Sequence, residues 1–410
     1  MNCDKDIFIT VDEALARMRQ AISPIKVTEE VDLQQALGRI LAGSITSPIN
    51  VPAYDNSAMD GYALNILAGV NRYKIVSKIL AGQPDDTPLN AGECAQIMTG
   101  GKIPPGCNSV IMQENVTLVE EGVIETNTKL TKDDNIRLCG DDIAQGEEVY
   151  APGHKLTAID IGCLASLGFT QVTVVKQLTV GLFTTGDELV QPGQVLGLGQ
   201  IYDSNRPMLK ALITQAGFNV VDIGVIEDNL LSIKQALSSL TKQCDVIITS
   251  GGVSVGVADF TGQAFAQLGE IDFWKVAMKP GKPFAFGSIF DEQRQVLFFG
   301  LPGNPVSSAV TFAVLAQPML EYLSSGQSTK PLTLTLPLTK PVKKRAGRRD
   351  YQRAIMVFDE EGTPIGVEPF SKQSSGVLSD LAKADCYIVL EKEQLGLNTG
   401  QMVCVLPVAK

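Results

Sequence analysis

The chain has 410 residues, with 34 Lys+Arg against 45 Asp+Glu for a formal net charge of −11, a single His, eight Cys and one Trp. At roughly 100–200 residues per domain this length predicts two to four domains, and 44% hydrophobic residues is enough to bury real cores. One histidine, His154, excludes an HExxH zinc helix or any paired-His metal site, and the acidic balance argues against nucleic acid and membrane surfaces as partners.

The cysteines are dispersed and form no CxxC, so neither a zinc ribbon nor a redox pair is expected. Buried reduced thiols of a cytoplasmic protein fit them best. The N-terminus MNCDKDIFIT lacks the charged-then-apolar profile of a signal peptide, and no uninterrupted apolar run approaches the ~20 residues of a membrane span.

Taken in order, VDEALARMRQAI (11–22) sets Ala14, Leu15, Met18 and Ile22 on one helical face, and VDLQQALGRILA (31–42) repeats the habit, so both are predicted helical. From about Ser47 to residue 145 short runs such as YKIVSKIL, ECAQIM, SVIMQE and GVIET, split by Gly, Pro and Asn, predict a β-rich segment. AIDIGCLASLG (158–168) is predicted helical. From about 177, TVGLFTT, FNVVDIG, CDVIITS and QVLFFG alternate with the helical segments RPMLKALITQAG, NLLSIKQALSSL, FTGQAFAQLG and VSSAVTFAVLAQPMLEYL, which predicts a mainly parallel sheet covered on both faces. SSGQSTKP (324–331) reads as a linker into a small terminal β-domain built from LTLTLPLTKPV, YQRAIMVF, CYIVLEKE and MVCVLPV.

In such a sheet the ligand sits beyond the carboxyl ends of the strands. Three strands end there in glycine loops, TTGDEL (184–189), SGGVSVG (250–256) and GLPGNP (300–305). Glycine lets backbone N–H groups approach a phosphate, so the trio points to a phosphate-bearing ligand such as a nucleotide, although each loop alone is equally a tight turn. MTGGKI (98–103) lacks the Ser/Thr and earlier Gly of a P-loop, and GLGQIY (197–202) lacks the third Gly of a dinucleotide fingerprint. Asp60, Asp142, Asp228 and Asp259 are candidate carboxylates for a hard cation such as Mg²⁺ beside phosphates. Asp228 and Asp259 equally read as helix N-caps and Asp60 as a turn residue, and only Asp259, three residues after the SGGVSVG loop, stands out by its position. Lys275, Lys279 and Lys282 fall within FWKVAMKPGKPF (273–284), an otherwise apolar stretch, and suit an anion; KPVKKRAGRRDYQR (340–353) is a second basic cluster, most of which a solvated edge strand explains better than a ligand role.

DNSAMDGYA (55–63), IMTGG (97–101), NIRLCGDDI (135–143), TTGDEL, IYDSNR (201–206), SGGVSVGVAD (250–259), FWKVAMKPGKPFAFG (273–287) and GLPGNPVS (300–307) closely resemble, in order, the signature segments of the MoeA family of molybdopterin molybdenumtransferases. The E domain of gephyrin and its plant counterpart are the eukaryotic relatives. The resemblance implies an α/β multidomain homodimer: a linking domain (1–46 with 146–176), a β-rich insert (47–145), a central MogA-like doubly wound domain (177–326) and a small C-terminal β-barrel-like domain (327–410). It implies insertion of Mo from molybdate into adenylyl-molybdopterin, with Mg²⁺-dependent hydrolysis of the adenylate and release of AMP, the substrate being handed over by a molybdopterin adenylyltransferase. The adenylation step itself and a non-catalytic molybdopterin-binding scaffold are the competing readings.

Carried over residue by residue, the resemblance assigns catalytic roles to Asp259, Asp228, Asp60, Asp142, Glu188, Lys275 and Lys279, with Asp259 and Asp228 as Mg²⁺ ligands. It assigns substrate binding to Thr99, Thr185, Asp203, Asn205, Ser250, Gly251, Gly252, Ser254, Lys282, Pro302, Gly303, Asn304, Pro305, Arg348, Arg349 and Ser375. The chain departs from the family at its C-terminal end, where Gln373-Ser374-Ser375 replaces Gln-Gly-Ser and Asp385 stands for Asn. Ser374 is expected to strain a loop that asks for glycine's left-handed backbone.

Overall fold

The computed structural model describes residues 8–129, 131–252, 267–291, 294–328 and 330–408. The chain forms two compact units, one of residues 30–174 and one of residues 1–29 with 175–410.

The 30–174 unit is built on a six-stranded mixed sheet with Gly61–Leu64 between Ser109–Met112 and Glu93–Ile97, followed by Arg72–Ile79, Val123–Thr126 and Val116–Glu120. The period of two along a strand divides its residues between two cores. Tyr62 and Leu64 join Tyr73, Cys94 and Ile111 on one face, while Ala63 joins Ile79, Ala95 and Val110 on the other. Gly61 is required here, because a Cβ would overlap the Ile111 carbonyl. A separate small core holds Leu33, Ala36, Leu41, Leu164, Val172 and Val174. The predicted helix at 31–42 is absent. Thr28–Asp32 is a strand paired with Gln171–Val175, a single 3₁₀ turn follows at Leu33–Gln35, and Gly38 turns left-handed at φ 75°. The apolar spacing serves this irregular packing instead, with the Leu33 and Leu41 N–H groups donated to the Thr170 and His154 carbonyls at 2.8 and 2.9 Å.

In the other unit, helix Val11–Ala21 begins with a capping box in which the Thr10 hydroxyl accepts from the Glu13 N–H and the Glu13 carboxylate accepts from the Thr10 N–H. Its buried face of Val11, Ala14 and Met18 enters the main core with Val276, Phe312 and Met319. The central six-stranded sheet runs in the order Asn219–Ile226, Thr179–Thr185, Val246–Ser250, Arg294–Leu301, Pro283–Asp291, Gly269–Lys275. The first four strands are parallel, as predicted. The last two are antiparallel additions at one edge, formed by the stretch that carries the candidate lysines. Alternate residues again feed two cores: Val180, Leu182, Val246 and Ile248 meet helix Asn205–Gln215 through Leu209 and Ile213, whereas Phe183 and Ile247 meet helix Leu230–Thr241 through Ile233 and Leu237. Each fully buried large apolar side chain in these two layers contributes about 1.5–3 kcal/mol to the unit.

Helix Pro305–Ser325 is the one helix among the described residues long and apolar enough to cross a membrane, and 67% of its apolar window is buried inside the protein. It widens to a π-turn at Phe312–Ala316. Pro318 accounts for the widening, since it has no N–H to return to the Val314 carbonyl. The C-terminal sheet orders Met278–Lys279, Arg349–Phe358, Cys386–Leu390, Met402–Pro407 and Leu334–Pro337, with Pro364–Pro369 also paired to Arg349–Phe358. The two residues Met278 and Lys279, contributed from the central segment, pair in parallel with Arg349 and Asp350.

Candidate functional site

The parallel strands end in register, Thr184 opposite Ser250 and Ser250 opposite Leu301, so the three glycine loops start side by side. Asn205, at the first turn of its helix, ties two of them together: its Nδ2 donates to Ser250 Oγ at 2.9 Å and to the Gly303 carbonyl at 2.6 Å. Ser250 Oγ donates to the Pro302 carbonyl at 2.9 Å, and Ser308 Oγ donates to Ser250 Oγ at 3.3 Å. Gly251 and Gly252 take the left-handed backbone at φ 95° and 67°, and a Cβ on Gly251 would overlap the Thr185 carbonyl oxygen. Gly303, Asn304 and Pro305 then lead into the long helix, placing Gly303 and Asn304 on the surface. Thr185 Oγ1 donates to Asp228 Oδ1 at 3.2 Å, bringing the third loop's hydroxyl to a half-buried carboxylate. Glu188 is exposed beside this loop.

Asp203 is placed differently from a ligand contact. It is 1% exposed, accepts from Thr184 Oγ1 at 2.7 Å and from Arg206 Nε at 3.1 Å, and Arg206 also reaches Asp222 at 2.8 Å, so its carboxylate is committed within the fold. Lys275 is half-buried with its carbonyl accepting from the Ile9 N–H at 3.1 Å, and Lys282 sits 5.1 Å over the Phe8 ring.

Lys279 faces the C-terminal sheet. Its Nζ lies 3.4 Å from Asp350 Oδ2, and it lines a pocket of about 450 Å³ together with Lys343, Lys344, Arg345, Ala346, Arg348 and Asp350. Five of these seven residues are cationic in a chain of net charge −11, so the field of the acidic protein is reversed locally. Lys344 is spent on the carbonyls of Lys392, Gln394 and Arg345, and burial pulls its ammonium below the ordinary lysine range. The side chains of Lys343, Arg345 and Arg348 make no ion pair among the described residues and remain available to an anion. Arg349 does not share that role. Its guanidinium spans both oxygens of Asp12, at 3.2 and 2.9 Å, and Glu391 at 2.9 Å, and although burial alone would depress it, those carboxylates hold its pKa above the ordinary arginine value.

The QSSG turn closes against the long helix, the Ser375 carbonyl accepting from the Val306 N–H at 3.2 Å. Arg353, 1% exposed, holds the turn from below by donating to the carbonyls of Lys372 (2.8 Å), Ser374 (3.0 Å) and Val377 (3.2 Å), while the Gln373 amide brackets the Arg353 backbone. Ser374 is not among the residues with positive φ, so the strain expected there is absent: the turn passes this position without the left-handed backbone that would require glycine. Asp385 accepts from the Met356 N–H at 2.9 Å and acts within the sheet. Sequence reasoning overlooked Arg353 and Asp350 because both lie inside what reads as a charged edge strand.

In the 30–174 unit, Asp60 Oδ1 accepts from the Thr99 N–H at 2.7 Å and its hydroxyl at 2.8 Å, which hold the carboxyl below its ordinary pKa. Asp142 is exposed on the loop whose N–H groups bond the Val51 carbonyl. Asp259 and Ser254 lie outside the described residues. No cluster of three metal-capable side chains occurs among the described residues. Mg²⁺ keeps most of its waters and takes only one or two protein carboxylates beside phosphates. Asp228, oriented by Thr185 next to the glycine loops, fits such a donor set.

Residues 9–168 match the family described as MoeA N-terminal region (domain I and II), residues 181–322 match the one described as "Probable molybdopterin binding domain", and residues 335–408 match MoeA C-terminal region (domain IV). The chain is 42% identical to a molybdopterin molybdenumtransferase of Haemophilus influenzae over 97% of its own length and 98% of the relative's. It is 30% identical to a gephyrin of Dictyostelium discoideum, over 96% of this chain and 61% of that protein. The crystal structure of the molybdopterin biosynthesis MoeA protein of Pyrococcus horikoshii OT3 superposes with a TM-score of 0.83 at 26% identity, over 98% of this chain and all of that one.

Proposed function

This chain belongs to the MoeA family of molybdopterin molybdenumtransferases, enzymes of molybdenum cofactor biosynthesis, and from that premise we propose that it inserts molybdenum from molybdate into molybdopterin presented as its adenylate. The adenylate's phosphoanhydride is hydrolysed in the process and AMP leaves. The observation that carries this reading is the in-register ending of three strands in glycine loops, two of them pinned to each other by Asn205 and Ser250, in the same compact unit as a pocket with three cations that make no ion pair among the described residues.

The backbone N–H groups around Gly251, Gly252 and Gly303 approach the phosphates, where no side chain intervenes. Arg348, Arg345 and Lys343 take the substrate's anionic end, the guanidinium groups offering a rigid fork of donors to its oxygens. Thr185 orients Asp228. Mg²⁺, when bound by Asp228 and the Asp259 that the sequence assigns, would neutralise charge developing on the phosphoanhydride. Asp60, kept ionised by Thr99, belongs to the same chemistry through the sequence resemblance. The reading makes the chain a cytoplasmic homodimer that receives its substrate from a molybdopterin adenylyltransferase.

The test incubates the protein with adenylyl-molybdopterin, Mg²⁺ and molybdate and follows AMP and Mo-cofactor together. Both should appear in equal amounts. ATP consumption with no AMP release from preformed adenylate would favour the adenylation step instead, and light scattering that returned a monomer mass at micromolar concentration would remove the dimer.

A further inference from the structure

The basic pocket contains one group of the wrong sign for an anion site. Asp350 is 4% exposed and lines the pocket among its cations. Its Oδ2 accepts from Lys279 Nζ at 3.4 Å and from Gln352 Nε2 at 3.1 Å. Gln352 is itself fixed, since Nε2 also donates to the Lys343 carbonyl at 3.0 Å, and the parallel pairing of Lys279 with Asp350 sets the backbone beneath both side chains. Oδ1 receives no hydrogen bond from any described residue. A ligand entering this pocket therefore meets three uncommitted cations and one acceptor oxygen that only a donor or a cation can satisfy.

We propose that Asp350 is a specificity-determining residue that rejects bare oxyanions and admits an anion that turns an O–H or N–H donor toward Oδ1. Sulfate and molybdate at neutral pH carry only acceptor oxygens, so each would press lone pairs against a carboxylate. A phosphomonoester or hydrogen phosphate can offer its P–OH, and a pterin can offer ring N–H and amino groups. A site built to receive a hydrogen bond discriminates strongly against a ligand that lacks the donor, because its buried polar group is then left unpaired. The pocket is thereby assigned to the phosphorylated organic substrate, and molybdate alone is held weakly there. This deepens the reading of the pocket as the substrate's anion site and rests on it.

The test titrates inorganic phosphate, sulfate and molybdate into the full chain by calorimetry, separately from any turnover assay. Phosphate should bind the unaltered chain about ten- to a hundredfold more tightly than sulfate or molybdate at equal ionic strength. Asp350→Asn should abolish that preference, binding sulfate and molybdate tighter by about five- to thirtyfold through loss of the opposing charge. Asp350→Glu should keep a preference. In Arg345→Ala/Arg348→Ala phosphate affinity should fall, which places the measured binding in this pocket. Equal affinity for all three anions in the unaltered chain overturns the proposal even where Asp350→Asn does not fold, as does an unchanged ratio in a folded Asp350→Asn or unchanged phosphate affinity in the double variant. Absence of molybdenum insertion with the preference intact would instead count against the proposed reaction.

Discussion

Exchanging Asn205 for Asp keeps the shape of the side chain and turns its bonded donor into an acceptor. Nδ2 gives its two hydrogens to Ser250 Oγ and to the Gly303 carbonyl, and the Ser250 hydroxyl hydrogen is already given to the Pro302 carbonyl. Among the described residues the buried Asn205 Oδ1 has no hydrogen-bond partner even in the unaltered chain. Asn205→Ala loses two hydrogen bonds, a cost of about 1–3 kcal/mol. Asn205→Asp in addition leaves a carboxylate buried at 9% exposure against acceptors, and an uncompensated buried charge costs about 3–5 kcal/mol. The N-terminus of helix Asn205–Gln215 favours a negative side chain by only about 0.3–1 kcal/mol, so the penalty wins. Urea unfolding at neutral pH should therefore order the stabilities as unaltered chain, then Asn205→Ala, then Asn205→Asp, with both variants binding adenylyl-molybdopterin more weakly as the two loops separate. The new carboxyl is harder to ionise folded than unfolded, so Asp variant stability should recover as the pH is lowered and protonation restores a donor. An Asp variant at least as stable as the Ala variant would refute the account of the pinned loops.

Gly251→Ala should abolish adenylyl-molybdopterin binding, because the Cβ overlaps the Thr185 carbonyl at a left-handed φ, while Gly303→Ala, whose Cβ meets nothing nearer than 3.9 Å, should leave the ligand-free fold intact by circular dichroism. Arg348→Ala should weaken substrate by roughly ten- to a hundredfold for about 1.5–3 kcal/mol of lost charge-assisted hydrogen bonding. Arg349→Ala should instead loosen helix Val11–Ala21, seen as faster amide exchange there with substrate affinity retained. Thr99→Val removes one of the two bonds that lower the Asp60 pKa, so the carboxyl should titrate at higher pH by NMR and the acid limb of activity should move up with it. The stabilisation from Asp60 is present above the ordinary carboxylate range and is lost as pH falls through its lowered folded value.

Much of the central unit is legible in the sequence because its signals are local. TVGLFTT and CDVIITS have strand length and apolar continuity, and the glycines of SGGVSVG and GLPGNP mark backbone that must turn or be approached closely. The amphipathic face of residues 11–22 is legible too, but not the core it joins. Residues 31–42 carry the same spacing and form no helix, since the positive φ at Gly38 and pairing with distant strands outweigh a weak local propensity. Arg348 and Arg349 are neighbours of one residue type, and sequence gives no means to separate them. Arg348 lies in the bend after the Ala346–Gly347 turn and lines the pocket, whereas Arg349 begins the strand that pairs with Met278–Lys279 and meets Asp12 and Glu391. Arg353 and Asp350 read as solvated charges until carbonyls some twenty residues away, or a lysine and a glutamine from neighbouring strand positions, close around them. Periodicity and turn chemistry act over a few residues and are written in the chain, whereas burial of a charge depends on groups that meet only when the sheets assemble.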